Sequence, residues 1–164
     1  MGEHKRKLSI GFWAFRVAAD YRIALEKYSR TLDLGAQDVY LLIALHRLGP
    51  SSLVELARDQ ETPHPSIVRQ VDALENRGYA QRSPHPEDRR IKVVSLTPKG
   101  MELIPTLHEW FNKLSEESTA GLSPEELVVI RQGLERVHRN LCPASCRHGE
   151  RKMFLLDKEE ADNK

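Results

Sequence analysis

The 164 residues suffice for one ordinary domain with helical extensions, and 25 basic residues nearly cancel 24 acidic ones to leave a net charge of +1. That balance excludes a uniformly basic nucleic-acid coat but not a local basic patch. With 40% apolar and 30% charged residues the composition is that of a surface-rich helical protein, whose long helices with thin apolar stripes would need a partner chain. No run approaches the roughly 20 consecutive apolar residues of a membrane span, and the charged N-terminus leads into no apolar signal segment, so the expected compartment is the cytoplasm.

From about residue 8 to residue 34, Leu8, Phe12, Phe15, Ala19, Ile23, Leu25, Tyr28 and Leu32 recur at three- and four-residue steps between charges, which predicts an amphipathic helix stopped by Gly35. Residues 37–48 are more apolar and predict a buried helix around Leu41, Leu42 and Leu45, ended by Gly49-Pro50. Ser52 and Glu55 have capping-box spacing and open a short third helix. Thr62 is expected to cap the fourth, with Pro63 at its first position, Ile67, Val68, Val71 and Leu74 facing the core, and Gly78 closing it. Residues 79–83 and 91–96 then read as two strands joined by the polar turn 84–90. Thr97-Pro98 opens a long helix to about Thr119, with Pro105 as an expected kink, and Ser123-Pro124-Glu125-Glu126 caps a final helix to about Leu141.

A short helix, a second helix and a hairpin in succession make a winged helix-turn-helix, whose second helix enters a major groove while the hairpin reaches toward the flanking backbone. Between Thr62 and Gly100 there are seven basic residues against four acidic ones, so the surplus lies on the groove-reading elements.

The stretches Leu53-Val54-Glu55-Leu56-Ala57 and Val71-Asp72-Ala73-Leu74-Glu75-Asn76-Arg77-Gly78-Tyr79 resemble the MarR family of bacterial transcriptional regulators. So, above all, does Pro86-Glu87-Asp88-Arg89-Arg90 followed by Val93-Val94-Ser95-Leu96-Thr97-Pro98-Lys99-Gly100. The resemblance spans about residues 8–141 and implies a mainly α fold with a small β-hairpin wing. It also implies a homodimer, with residues 8–34 and 101–141 as dimerisation helices and 37–100 as the DNA-binding lobe on half of a pseudo-palindromic operator. A repressor released by a small aromatic carboxylate or phenol is the implied behaviour. One departure is local: His64 and Pro65 stand where relatives carry Ser or Lys, so their base preferences do not transfer.

Arg90 at the wing tip suits a narrow minor groove, with Arg89 beside it, and the family pattern makes Asp88 a support that holds an arginine in place. On the recognition helix Thr62, His64, Ser66 and Arg69 occupy the exposed front, where Ser66 and Arg69 can reach a base edge or phosphate. Ser52 can bond a phosphate as well as cap, and Gln70 and Arg77 are weaker phosphate candidates. Phe12, Trp13, Arg16, Tyr40, His46 and His108 lie on the helices that would line an effector pocket, an aromatic wall with a cation suited to a planar carboxylate. Aromatic packing at a dimer interface, with surface cations, is the commoner role for any single one of these residues.

Residues 142–164 are charged without a sustained apolar period and read as a flexible tail. Its Cys142, Cys146 and His148 lack the second cysteine pair of a zinc site, so no metal or cofactor is expected. There is no nucleophile–base pair or Gly-rich phosphate loop, and an enzyme is not the expected reading. The alternative to a DNA-binding regulator is a winged-helix module that contacts only protein.

Overall fold

A computed structural model describes residues 9–87 and 90–141. The chain divides into two compact units between Leu114 and Ser115. The first contains α1 (Ile10–Ser29), α2 (Ala36–Leu48), β1 (Ser51–Ser52), α3 (Leu53–Asp59), α4 (His64–Asn76), β2 (Ala80–Pro84) and β3 (Lys92–Leu96). The boundary falls within α5 (Pro98–Thr119), and α6 (Pro124–Leu141) belongs to the second unit. The fold is mainly helical with a small antiparallel sheet, the winged helix-turn-helix that the order of elements predicts. No helix among the described residues is long and apolar enough to cross a membrane.

The core of the first unit is built on α2, where Val39, Leu41, Leu42 and Leu45 are buried together with Leu56 of α3 and Ile67, Val71 and Leu74 of α4. Burying each such aliphatic side chain stabilises by roughly 1.5–3 kcal/mol, which is why these short helices hold together. On α4 the buried residues follow the steps of four and three that keep one helical face inward. Val68 is only half-buried, contrary to expectation, because it lies one residue around the helix from Ile67, at the rim of that face.

Two helix ends differ from the sequence reading. The first helix ends at Ser29 and tightens into a 3-10 turn over Arg30–Leu32, and Asp33, with φ 53°, reverses the chain. Gly35 therefore does not stop α1; it precedes α2, its N–H donating to the Asp38 carboxylate at 3.0 Å. Nor does Thr62 cap α4. The cap position belongs to Pro63, whose carbonyl accepts from the N–H groups of Ser66 (2.8 Å) and Ile67 (3.3 Å), while the Thr62 hydroxyl donates to the Gln60 carbonyl at 3.0 Å. Proline already has the φ that this position needs, and Pro65 in the first turn forfeits only an N–H that has no helical partner.

The sheet has three strands in the order β1-β3-β2, one more than the predicted hairpin. Ser51 and Ser52 pair with Val94 and Val93 on one side of β3, and Ala80 through Pro84 pair with Leu96 through Lys92 on the other. The same Ser52 caps α3: its hydroxyl accepts from the Glu55 N–H at 3.2 Å, and the Glu55 carboxylate accepts from the Ser52 N–H at 2.7 Å. The hydroxyl also donates to that carboxylate at 2.8 Å, and these bonds hold the Glu55 carboxyl below its ordinary range.

Where the sheet leaves for α5, the chain makes one very close approach. Thr97 donates its N–H to the Tyr79 carbonyl at 3.1 Å and its hydroxyl to the Gly78 carbonyl at 2.6 Å, and that hydroxyl accepts from the Gly100 N–H at 3.1 Å. A Cβ on Gly100 would stand 2.2 Å from the Tyr79 carbonyl oxygen. This is backbone against backbone, so neither side can swing away. Gly100→Ala is expected to destabilise by about 2–3 kcal/mol or more, at the upper end of overpacking costs. Gly133, in α6 with open space around its Cβ position, is the control: its change to Ala should be neutral or stabilising by up to about 1 kcal/mol. Urea denaturation of both variants checks the opposed signs.

Candidate nucleic-acid interface

Helix α4 is amphipathic, and the face opposite its buried residues presents His64, Pro65 and Arg69 to solvent at or near its N-terminal end. Ser66 is half-buried and its hydroxyl accepts from Arg69 Nη2 at 3.3 Å, so these two candidates form one polar unit. Thr62 is half-buried in the turn before the helix, engaged with Gln60. Ser52 is engaged on both sides by Glu55, which favours the cap over a phosphate contact.

The wing is fixed to α4 by an arginine that the sequence reading treated only as part of the basic surplus. Arg82 of β2 reaches across to Asp72 at 2.7 Å and to Glu75 through the same Nη1, and its Nη2 donates to the Val68 carbonyl at 3.5 Å. Its backbone N–H also donates to Glu75, at 2.7 Å. One guanidinium thus gathers the back of α4 and the first wing strand, and charge-assisted bonds of this kind are the stronger class of hydrogen bond. The spacing of Asp72 and Glu75 one helical turn apart was the available signal, since it places both carboxylates on one side of α4.

Other cations of the surplus are similarly committed. Arg77 ties the end of α4 to the start of α2 through Asp33 at 3.4 Å and Asp38 at 4.0 Å, which argues against its role as a phosphate contact. Lys99 donates to the Arg77 carbonyl at 2.7 Å and lies 4.5 Å from the centre of the Tyr79 ring. Arg69, Arg90 and Lys92 are exposed on the helix front and the wing. Asp88 and Arg89 lie outside the described residues, as do Cys142, Cys146 and His148.

Residues 36–92, which contain α2, α3, α4 and most of the wing, match the sequence model of the MarR family. The chain carries a MarR-family domain. Its fold is similar to that of a probable transcriptional regulator from Pseudomonas aeruginosa at 26% identity and a TM-score of 0.70, covering 79% of this chain and 96% of that one. A mutant of MarR from E. coli, complexed with operator DNA, matches at 25% identity and a TM-score of 0.72 over 78% of this chain and 92% of its own. BpsR of Bordetella bronchiseptica, whose DNA binding is regulated by 6-hydroxynicotinic acid, matches at 24% identity and a TM-score of 0.72 over 83% and 97%.

Around this MarR-family domain the six candidate effector residues fall into groups. Phe12 and Trp13 are exposed on α1 with their rings edge to face at 5.7 Å, and Arg16 is exposed beside them. Tyr40 packs on Phe111 at 5.9 Å, and burial, with Tyr21 nearby, pushes its hydroxyl above the ordinary range. His46 of α2 and His108 of α5 face each other at 5.9 Å. Tyr28 stacks on Trp110 at 6.3 Å, an aromatic contact that the sequence reading did not assign.

Removing the Arg82 side chain leaves Asp72 and Glu75 repelling each other beside a loosened wing. Arg82→Ala is expected to lower stability by about 1.5–3 kcal/mol, the range for hydrogen bonds to charged groups. It should also weaken duplex DNA binding at temperatures where the far-UV circular dichroism is unchanged. Full DNA affinity in the folded variant would show that the wing needs no such anchor.

Proposed function

We propose that the protein is a homodimeric transcriptional regulator that binds a pseudo-palindromic operator and, acting as a repressor, is released from it by a small aromatic carboxylate or phenol. The observation that carries the DNA-binding part is the joint presentation of the α4 front and the wing, with Arg82 holding the two in fixed relation. The N-terminal residues of α4, His64, Ser66 and Arg69, take base edges and phosphates in the major groove, and Arg90 takes the minor groove or its rim. Support comes from the operator complex of the similar E. coli protein.

Dimerisation is supported by apolar surface that is exposed among the described residues. On α1, Ile10, Phe12, Trp13, Phe15 and Val17 are exposed, Phe15 to 74%. On α6, Val128, Val129, Ile130 and Leu134 are exposed, Val129 to 68%. Contiguous apolar patches of this kind mark interaction surfaces. Residues 8–34 and 101–141 are accordingly the dimerisation segments and 37–100 the DNA-binding lobe, in the cytoplasm.

The ligand-release part rests on the aromatic residues of α1, α2 and α5 and on the regulation of the similar BpsR by a hydroxylated aromatic acid. A ligand shifts the equilibrium only by its preference for a dimer whose recognition helices do not match half-sites about 34 Å apart.

Two measurements separate this reading from a winged helix that contacts only protein. In a gel shift on the DNA upstream of its own gene, affinity should fall about a thousandfold or more between about 50 and 200 mM salt, as for six or more phosphate contacts. Arg90→Ala should reduce the slope of log K against log salt by about one if it meets a phosphate. Absence of any salt-dependent shift favours the protein-only module. Phe15→Asp and Val129→Asp should each raise the monomer fraction in light scattering, and a panel of benzoates and phenols should contain a compound that abolishes the shift.

A further inference from the structure

We propose that His46 and His108 form a two-imidazole site for a divalent transition-metal ion of the zinc, nickel and copper class, bridging α2 and α5. The two residues are 62 positions apart in sequence, and only the fold brings their rings together, with centroids 5.9 Å apart and planes at 66°. A metal–nitrogen bond of about 2.0–2.1 Å puts each ring centre roughly 3.2 Å from a shared ion. Two such rings are about 5.2 Å apart at a tetrahedral angle and about 6.4 Å apart when opposed. The observed spacing falls between these limits, so the ring centres are as far apart as two imidazoles on one shared ion require.

The chemistry of the donors agrees. Imidazole nitrogen suits zinc, nickel and copper alike. His46 lies in the last turn of α2 and is exposed, leaving the outer coordination positions to water. Among the described residues no group of three or more His, Cys, Asp or Glu could hold a metal, so the site is one of two nitrogen ligands completed by solvent. Imidazole without carboxylate selects the borderline ions over magnesium or calcium. An ion held there links α2, the central helix of the DNA-binding lobe, directly to α5.

Nickel chloride titrated into the full chain by calorimetry at about pH 7.5 tests the site. Because Cys142, Cys146 and His148 are themselves metal-binding residue types, the titration is done in wild type and in a Cys142→Ser/Cys146→Ser background. The expected result is one ion per chain in that background, with binding weakened on the order of tenfold or more by His46→Gln or His108→Gln, since even outer-shell losses cost that much. Nickel should also raise the melting temperature of the background protein and not that of its His46→Gln variant. His46 is exposed, so its replacement leaves the fold intact, which circular dichroism checks. Lowering the pH should weaken the binding, since protons compete with the ion for imidazole nitrogen. Equal nickel affinity with and without His46→Gln, or no binding in the cysteine-free background, overturns the proposal.

Discussion

The contact between Gly100 and the Tyr79 carbonyl sets the geometry on which the rest of the first unit depends. At that point the last strand of the wing ends, the end of α4 has just passed, and α5 begins. Thr97 fixes the spacing with three hydrogen bonds to Gly78, Tyr79 and Gly100, and the missing side chain of Gly100 lets two backbones meet at van der Waals distance. Gly78 itself, at φ 75°, makes the turn that a side-chain-bearing residue adopts only with strain. The consequence is mechanical: α4, the wing and the start of α5 are joined at one tightly packed point.

A second consequence concerns charge. The surplus of basic residues between Thr62 and Gly100 reads from the sequence as one DNA-facing pool, but the structure divides it. Arg77, Arg82 and Lys99 bond carboxylates and carbonyls within the domain and set its shape, whereas Arg69, Arg90 and Lys92 lie on the exposed front and wing. The first group still contributes long-range attraction, since a charge in an ion pair is offset only by its partner. What it cannot do is meet a phosphate without first giving up these bonds. The exposed basic charge is thus a small part of a chain whose total charge is close to neutral.

What was legible in the sequence was whatever is decided within one helical turn or one strand. The boxes at Ser52–Glu55 and Ser123–Glu126 form as their spacing demands, the second with Ser123 donating its N–H to Glu126 at 2.8 Å. The ends of α5 and α6 and the position of the wing follow from local patterns in the same way. The errors lie where neighbours compete or distant segments decide. Thr62 lost its cap to Pro63 because a proline with its φ already set outcompetes a hydroxyl that can turn back to Gln60. β1 is only two serines long and exists because Val93 and Val94 offer free backbone groups, which no local pattern could reveal. Arg82 and the His46–His108 pair are likewise products of tertiary structure. Arg90 and the α4 front are exposed, and any DNA contact they make would belong to a complex rather than to the chain.

The exposed aromatics of α1 carry the last step. Sequence periodicity marks Phe12, Phe15 and Ile23 as an apolar face, and among the described residues that face is exposed, while Leu25 and Ser29 farther along the same helix are buried. A helix whose stripe is covered at one end and open at the other gains only part of the burial that its sequence encodes. Burying the open part, at roughly 25 cal/mol per Å² of apolar surface, supplies a stabilisation that scales with protein concentration rather than with the fold alone. In the proposed dimer, folding of α1, association of two chains and placement of the two α4 helices are linked equilibria. In such a system a small molecule need not touch α4 to alter DNA binding; a preference for one arrangement of the open stripe suffices.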